Sequence, residues 1–397
     1  MFFLVVFFLI PLIAALGAWI NAQFIYRLCA KRIREAAKVE WPEDARLLWP
    51  FFGSVSWAPE LFSRVLMAPL MVYAVVEPNG LVWPVLIGWL AAWYAGFFPL
   101  YFRAEKLWKF ERRFPLWPEV GEGVLLYSGY IVIAGVMLTI QEPEWSWRTA
   151  AVVAGGLVAF AGWNSTVATW KGILKKRHLP VPERLREIVS TAAGDLNVPV
   201  LEILMIALNQ PHAEAYPAAH MIGFTPSLVE LLDDEELAWV ARHEIAHLTE
   251  PVPATALRHL RVAVYLPLFL LRPLAASLEP FWAAVIAIGW IQLGSRAWAD
   301  FSRNLERRAD TNAGERNPAA AGRALEKLHR GIRSPAVMED PSTHPDLWSR
   351  LTALGITPEW PKPEAVRYAD WSEIRNCCWI MALLTLGVTV AVFYAMG

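Results

Sequence analysis

Eight stretches of this chain are apolar enough and long enough to cross a lipid bilayer as helices, and they restrict its fold more than any other feature. They cover residues 2–24, 61–76, 81–102, 124–140, 149–170, 260–278, 281–298 and 374–396. Hydrophobic residues make up 56% of the chain and charged residues only 18%, and many of the 21 tryptophans lie near the ends of these stretches. The sequence therefore predicts a mainly helical multi-pass protein with the bilayer as a partner and no nucleic-acid partner.

Two of the eight stretches carry a weaker signal. The second is short and contains Pro69, and the sixth is interrupted by Arg272 and Pro273. The region 41–57 between the first two stretches is rich in proline and aromatic residues, which predicts an interfacial segment rather than a crossing.

The basic residues predict one orientation for all eight stretches. No Lys or Arg precedes the first stretch, whereas five follow it between residues 27 and 38. The positive-inside rule then places the N-terminus outside and segments 27–60, 103–121, 171–258 and 300–373 in the cytosol. The short outside loops favour a bacterial inner membrane. The stretches hold no Asp or Glu near their centres, which argues against an ion-coupled transporter.

This topology divides the chain into five parts. Residues 1–170 form a region of five membrane helices, and 259–299 form a pair of membrane helices. The C-terminal segment 374–397 is a last crossing. Between these parts lie two cytosolic pieces, 171–258 and 300–373, which together are long enough for one compact domain.

A short motif in the first cytosolic piece carries the chemistry. His243 and His247 lie four residues apart, so on a helix both imidazoles face one metal ion, with Glu244 beside them as a candidate general base. Asp233 and Glu236 form a capping-box pattern at the start of this helix, and the prolines from Pro251 onward end it. The residues alone predict a metal pair in the middle of a helix.

A third metal ligand is expected from the second cytosolic piece. Glu306 and Asp310 are four residues apart and share a helix face, so one carboxylate can bind the metal while the other orients a ligating imidazole. The competing interpretation is an acid pair that neutralises the neighbouring arginines. His259, at the entrance to the sixth stretch, is a weaker substitute ligand.

These motifs resemble those of the integral-membrane zinc metallopeptidases that include the CAAX prenyl protease and HtpX. The resemblance rests on the His243–His247 motif, two following membrane stretches and the segment 306–310, and it extends from 222–228 upstream to His344 and Arg350 downstream. It covers about 171–355, while the upstream membrane region matches only in its layout. The eighth stretch departs from both named relatives.

The resemblance implies the fold and the roles of the site residues. It implies a small α+β zincin-type protease domain on the cytosolic side, with one zinc ion. The implied zinc ligands are His243, His247 and Glu306, with Glu244 as general base and Asp310 behind the ligands. The remaining implied residues are His344 and Arg350, as cations near the oxyanion, and the substrate-binding strand Glu214, Ala215 and Tyr216, where the family usually has Asn at the first position.

We therefore expect a zinc endopeptidase that cleaves membrane or membrane-associated proteins, with quality control of membrane proteins as the first hypothesis. Processing of a defined, lipidated C-terminus is the alternative within the same enzyme class. A non-catalytic membrane scaffold that keeps a relic zinc site is the alternative of another class. The sequence predicts neither the substrate nor the oligomeric state.

Overall fold

The computed structural model of the chain describes residues 2–76, 82–107, 113–114, 117–175, 179–251, 254, 257, 263–264, 266–314, 317–339, 344–366 and 372–396. The described part is mostly helical and contains one small sheet. The helices, in chain order from α1 to α14, are Phe2–Ala36, Glu43–Val76, Val82–Glu105, Trp117–Ile140, Trp147–Lys175, Glu183–Leu196, Pro226–Leu231, Asp234–Leu248, Leu266–Phe269, Leu271–Leu278, Pro280–Gly314, Pro318–Gly331, Leu347–Ala353 and Ser372–Met396.

Helices α1, α2, α3 and α14 pack together into an apolar bundle. Within the described residues, three helical segments are long and apolar enough to cross a membrane, namely Phe7–Ala36, Val82–Glu105 and Ser372–Val392. They coincide with the first, third and eighth of the predicted stretches. The other five crossings and the orientation of the chain stay predictions.

One feature of the helices differs from the sequence prediction, and two others concern the sixth and seventh stretches. Residues 43–76 form one continuous helix instead of an interfacial segment followed by a short span, because a packed bundle tolerates prolines that would break a helix in water. The sixth stretch is described only in part, as α9 and α10. Helix α11 continues without a break from the seventh apolar stretch into the segment that carries Glu306 and Asp310.

The C-terminal helix α14 is a central member of the bundle rather than an appendage. It packs against both α1 and α2. The side chain of Asn21 on α1 contacts the sulfur atoms of Cys377 and Cys378. At Gly17 a Cβ atom would collide with the Thr385 side chain. A small residue is therefore required where these two helices cross.

We expect Gly17→Leu to destabilise the fold by about 1–3 kcal/mol, because the added side chain forces α1 and α14 apart. The measurement is the midpoint of thermal unfolding of the purified protein in detergent. Thr385→Ala in the same chain should restore part of the loss. Gly155→Leu is the matched control, since no described residue beyond its own helical turn lies within 4 Å of a Cβ at Gly155. An unchanged midpoint for Gly17→Leu would contradict the close crossing.

The domain that holds the metal motif contains a three-stranded sheet. Its strands are β1 (Glu202–Met205), β2 (Ala213–Tyr216) and β3 (Met221–Phe224). Strand β3 lies in the centre, parallel to β1 and antiparallel to β2, so β2 forms one edge of this sheet. Helix α8 packs on β2 and β3, and its apolar face joins a core with α6, α12 and α13.

The connection between α1 and α2 and the first turn of α2 pack against this domain. Trp41 packs edge-on against Trp360, with ring centroids 5.1 Å apart, and its indole N–H donates to the carbonyl oxygen of Ser334. The Arg330 guanidinium lies 4.8 Å from the Trp41 ring centroid. Arg333 Nε lies 3.5 Å from a carboxylate oxygen of Asp44, which is 1% exposed. Trp41 and Asp44 thus cover part of the domain.

Candidate metal centre

The start of helix α8 agrees with the sequence prediction, whereas the position of His247 near its end does not. Asp233 accepts a hydrogen bond from the backbone N–H of Glu236, and the Glu236 carboxylate accepts one from the backbone N–H of Asp233, so the predicted capping box is confirmed. The helix ends at Leu248, before the prolines. His247 therefore lies in the last turn, whereas the sequence predicted the middle of the helix.

Three side chains from two helices converge at this place. His243 and His247 on α8 and Glu306 on α11 each have a ligand atom within 4.8 Å of the other two. The two imidazole Nε2 atoms are 3.3 Å apart, and each lies 3.5 Å from an oxygen of Glu306. All three residues are buried. The structure thus brings together the three residues predicted as ligands.

The spacing and the donor types fit a zinc ion. Tetrahedral zinc with bonds of about 2.0–2.2 Å requires ligand atoms roughly 3.3–3.5 Å apart. Each imidazole also has its Nδ1 atom close to a carboxylate oxygen, 3.0 Å from Asp310 for His243 and 2.9 Å from Glu250 for His247. When Nδ1 donates its hydrogen to that carboxylate, Nε2 carries a lone pair. Two lone pairs and a carboxylate at these distances repel each other unless a proton or a metal ion lies between them.

Acidic groups around His243 favour positive charge at this place. Burial lowers the pKa of His243, but hydrogen bonds with Asp310 and Glu306 outweigh it and raise the pKa to about 10. Burial by itself raises the pKa of Glu306. Contacts with His243 and His344 outweigh burial and hold the pKa of Glu306 well below its usual range. Ionised carboxylates that stabilise a proton on the imidazole this strongly also attract a divalent cation.

Asp310 links His243 to an arginine. Arg350 Nε lies 2.7 Å from one Asp310 oxygen, and a terminal guanidinium nitrogen lies 2.5 Å from the other. Burial raises the pKa of Asp310, but the charge of Arg350 and the hydrogen bond with His243 lower it to about 2. The Arg350 side chain is 11% exposed and also lies 5.9 Å from the ring centroid of Trp239. Arg350 thus holds Asp310 in place.

The low pKa of Asp310 has a consequence for stability at acid pH. An Asp carboxyl has a pKa of about 3.9 when unfolded, so the shift to about 2 stabilises the fold by about 2 kcal/mol above pH 4. This contribution is lost as the pH falls toward 2. In EDTA, the difference in unfolding free energy between wild type and Asp310→Asn should narrow by about 1 kcal/mol from pH 5 to pH 3. A difference that is constant or wider at pH 3 would contradict the ion pair.

His344 lies at the open side of the three residues. Its Nδ1 atom is 2.9 Å from a Glu306 oxygen, and its side chain is 64% exposed. The sequence placed His344 and Arg350 together as cations near the site. Both side chains lie close to the three residues but contact different carboxylates. His344 contacts Glu306, and Arg350 contacts Asp310.

Glu244 and the predicted substrate strand lie on neighbouring elements. Glu244 is 8% exposed on α8, and its negative charge contributes to the raised pKa of both His243 and Arg350. The predicted strand Glu214, Ala215 and Tyr216 lies within the edge strand β2, which packs against α8. Glu214 accepts a hydrogen bond from the Tyr216 hydroxyl.

Sequence reasoning missed one residue of the centre. Glu250, the partner of His247, follows it by three residues, just beyond the end of α8. The spacing itself was the available signal, because residues three apart on a helical turn are neighbours. His259, the substitute ligand considered from the sequence, lies outside the described residues.

Comparison with known proteins identifies the domain. The sequence model of peptidase family M48 matches residues 181–356, the segment that holds α8, the part of α11 with Glu306, and α13. Residues 181–356 form a domain of peptidase family M48. This confirms the resemblance to the membrane zinc metallopeptidases that the sequence motifs indicated. The M48 domain contains all the residues of the centre described above.

Two matches to known proteins give the extent of the similarity. The chain is 33% identical to a protein described as a protease HtpX homologue from Aquifex aeolicus over 108 residues, which cover 24% of this chain and 36% of that protein. The match thus spans about a third of the relative's length. The crystal structure of Ste24p from S. mikatae aligns with 87% of this chain and 98% of that one, at 16% identity and a TM-score of 0.47.

Proposed function

We propose that this chain is a membrane-embedded zinc endopeptidase in which His243, His247 and Glu306 hold the metal. The observation that carries the proposal is the convergence of two imidazole nitrogens and a carboxylate, 3.3–3.5 Å apart, inside an M48 domain. The identity of the metal rests on the donor set, since two His and one Glu are a common ligand set of catalytic zinc. The proposed activity is hydrolysis of peptide bonds.

The chain's own residues supply the proton transfers of this reaction. When bound, zinc supplies Lewis acidity, which lowers the pKa of a water to about 7 and polarises the scissile carbonyl. Glu244 accepts the proton of the attacking water and then returns it to the leaving amine. Asp310 and Arg350 keep the His243 ring oriented. His344, exposed and close to Glu306, is better placed than the buried Arg350 to donate a hydrogen bond to the developing oxyanion.

The edge strand β2 is the proposed binding site for the substrate backbone. An edge strand offers backbone N–H and C=O groups to an extended peptide, which then lies as an added strand. Strand β2 packs on α8, so a peptide paired with it lies beside the helix that carries the metal ligands. Such pairing recognises the backbone of the substrate and not its side chains, which suits a protease that accepts many sequences.

We propose that the substrates are membrane or membrane-associated proteins and that the centre faces the cytosol of a bacterial inner membrane. The direct test uses the purified full chain in detergent with two substrates, an unfolded membrane protein and a prenylated peptide, each with EDTA and with zinc restored. Zinc-dependent cleavage of the unfolded protein supports quality control. Cleavage of the prenylated peptide alone would favour C-terminal processing, and cleavage of neither would contradict the protease.

A further inference from the structure

The two proposed histidine ligands are each backed by a carboxylate, but the carboxylates come from different places. Asp310, which contacts His243, lies on helix α11, far from α8 in the sequence. Glu250 contacts His247 from the chain immediately after α8, with its Oε1 atom 2.9 Å from Nδ1. The Glu250 side chain is 3% exposed, so this contact is almost fully shielded from water.

The position of Glu250 is unfavourable for a carboxylate unless hydrogen-bond donors compensate its negative charge. It follows the C-cap residue Thr249, where the backbone carbonyls form the negative end of the helix dipole. A buried carboxylate at this end is destabilising unless hydrogen-bond donors surround it. The Nδ1–H group of His247 is one such donor, and Arg308, which donates to the Thr249 carbonyl, adds positive charge nearby.

The contact fixes two properties of His247. When the neutral ring donates its Nδ1 hydrogen to Glu250, Nε2 carries the lone pair, which is the tautomer that binds metal. The hydrogen bond also restricts rotation of the ring, which keeps Nε2 directed at the position shared with His243 and Glu306. This restriction matters more for His247 than for His243, because His247 lies in the last turn of α8.

We propose that Glu250 is a positioning residue that holds His247 in the metal-binding tautomer and orientation. This inference rests on the proposed zinc site and goes beyond it, since Glu250 contacts the ligand and not the metal. It assigns the His247 ring an orienting acid of its own, independent of the Asp310–Arg350 pair. Loss of such a partner lowers metal affinity by about 10–100-fold.

The test is metal binding by the purified full chain, measured with Zn²⁺ alone against a competing chelator. We expect Glu250→Ala to weaken Zn²⁺ binding by about 10–100-fold and Glu250→Gln, which preserves size and one hydrogen-bond acceptor, to weaken it less. Asp310→Asn should give a loss of similar size through His243. Glu187→Gln, on the exposed face of α6, is the matched control.

Two further measurements separate positioning from a general structural role. The midpoint of thermal unfolding in EDTA should be the same for Glu250→Gln and wild type, and the visible spectrum of the Co²⁺-substituted protein should change with Glu250→Ala. Wild-type affinity in both Glu250 variants would overturn the inference while leaving the zinc site intact. A weaker affinity matched by an equal loss of stability in EDTA would also overturn it. No Zn²⁺ binding by wild type would overturn the proposed function itself.

Discussion

Glu244→Gln is expected to lower kcat for peptide hydrolysis by a factor of about 10²–10⁴ and to leave the zinc content unchanged. The amide has nearly the size of the carboxylate but cannot accept the proton of the attacking water. The metal stays because His243, His247 and Glu306 are not altered. KM should change little, since the proposed substrate strand β2 is a separate element. The measurements are steady-state kinetics and metal analysis of the same preparation.

The matched control for this variant lies on the same helix. Glu235→Gln makes the same substitution in the first turn of α8, where the carboxylate is exposed and pairs with Arg323. It should retain wild-type kcat. If Glu244→Gln cleaves at the wild-type rate, another group takes the proton and the proposed mechanism is wrong.

Glu306→Gln is expected to remove both the metal and the activity. Structural zinc binding is worth about 10–16 kcal/mol for four ligands, so one ligand contributes roughly 3–4 kcal/mol, or about 10²–10³-fold in affinity. The variant also loses the carboxylate that contacts His344 and both proposed histidine ligands. Zinc per chain should fall below one at concentrations that saturate wild type, and hydrolysis should fall in proportion.

A partial rescue distinguishes loss of a ligand from loss of the fold. Raising the Zn²⁺ concentration by about 10³-fold should restore metal to Glu306→Gln, because the two histidines remain. Far-ultraviolet circular dichroism should match that of wild type. Full zinc occupancy of the variant at low Zn²⁺ would exclude Glu306 as a ligand and return His259 to consideration.

The local features of the centre follow from the sequence because they depend on residues close together in the chain. The spacing of His243 and His247 and the Asp233–Glu236 capping box are encoded within one helix, and both are present in the structure. Glu306 is far away in sequence, and the residues alone left it as one of two carboxylates, with the resemblance deciding between them. Its convergence with the histidines depends on α8 and α11 packing together.

Other features could not be predicted because they depend on long-range packing. The sequence gives no sign that Arg350 lies against Asp310, since forty positions separate them and both types of residue are common on helix surfaces. The continuity of α2 through three prolines depends on α1, α3 and α14 around it. For Glu250 the sequence shows the spacing from His247, but it does not show that the carboxylate is buried.

The contact of Trp41 with Trp360 affects how the protein can be studied as separate fragments. A fragment that begins after α5 lacks Trp41 and Asp44, so it exposes the indole ring of Trp360 and leaves Arg333 without the acid it faces. The exposed patch adjoins α13, since Trp348 on that helix packs on Trp360 with centroids 5.4 Å apart. The same helix carries Arg350. The connection between α1 and α2 and the first turn of α2 are therefore part of the surface packing of the domain that holds the metal motif, and a fragment without them loses these contacts.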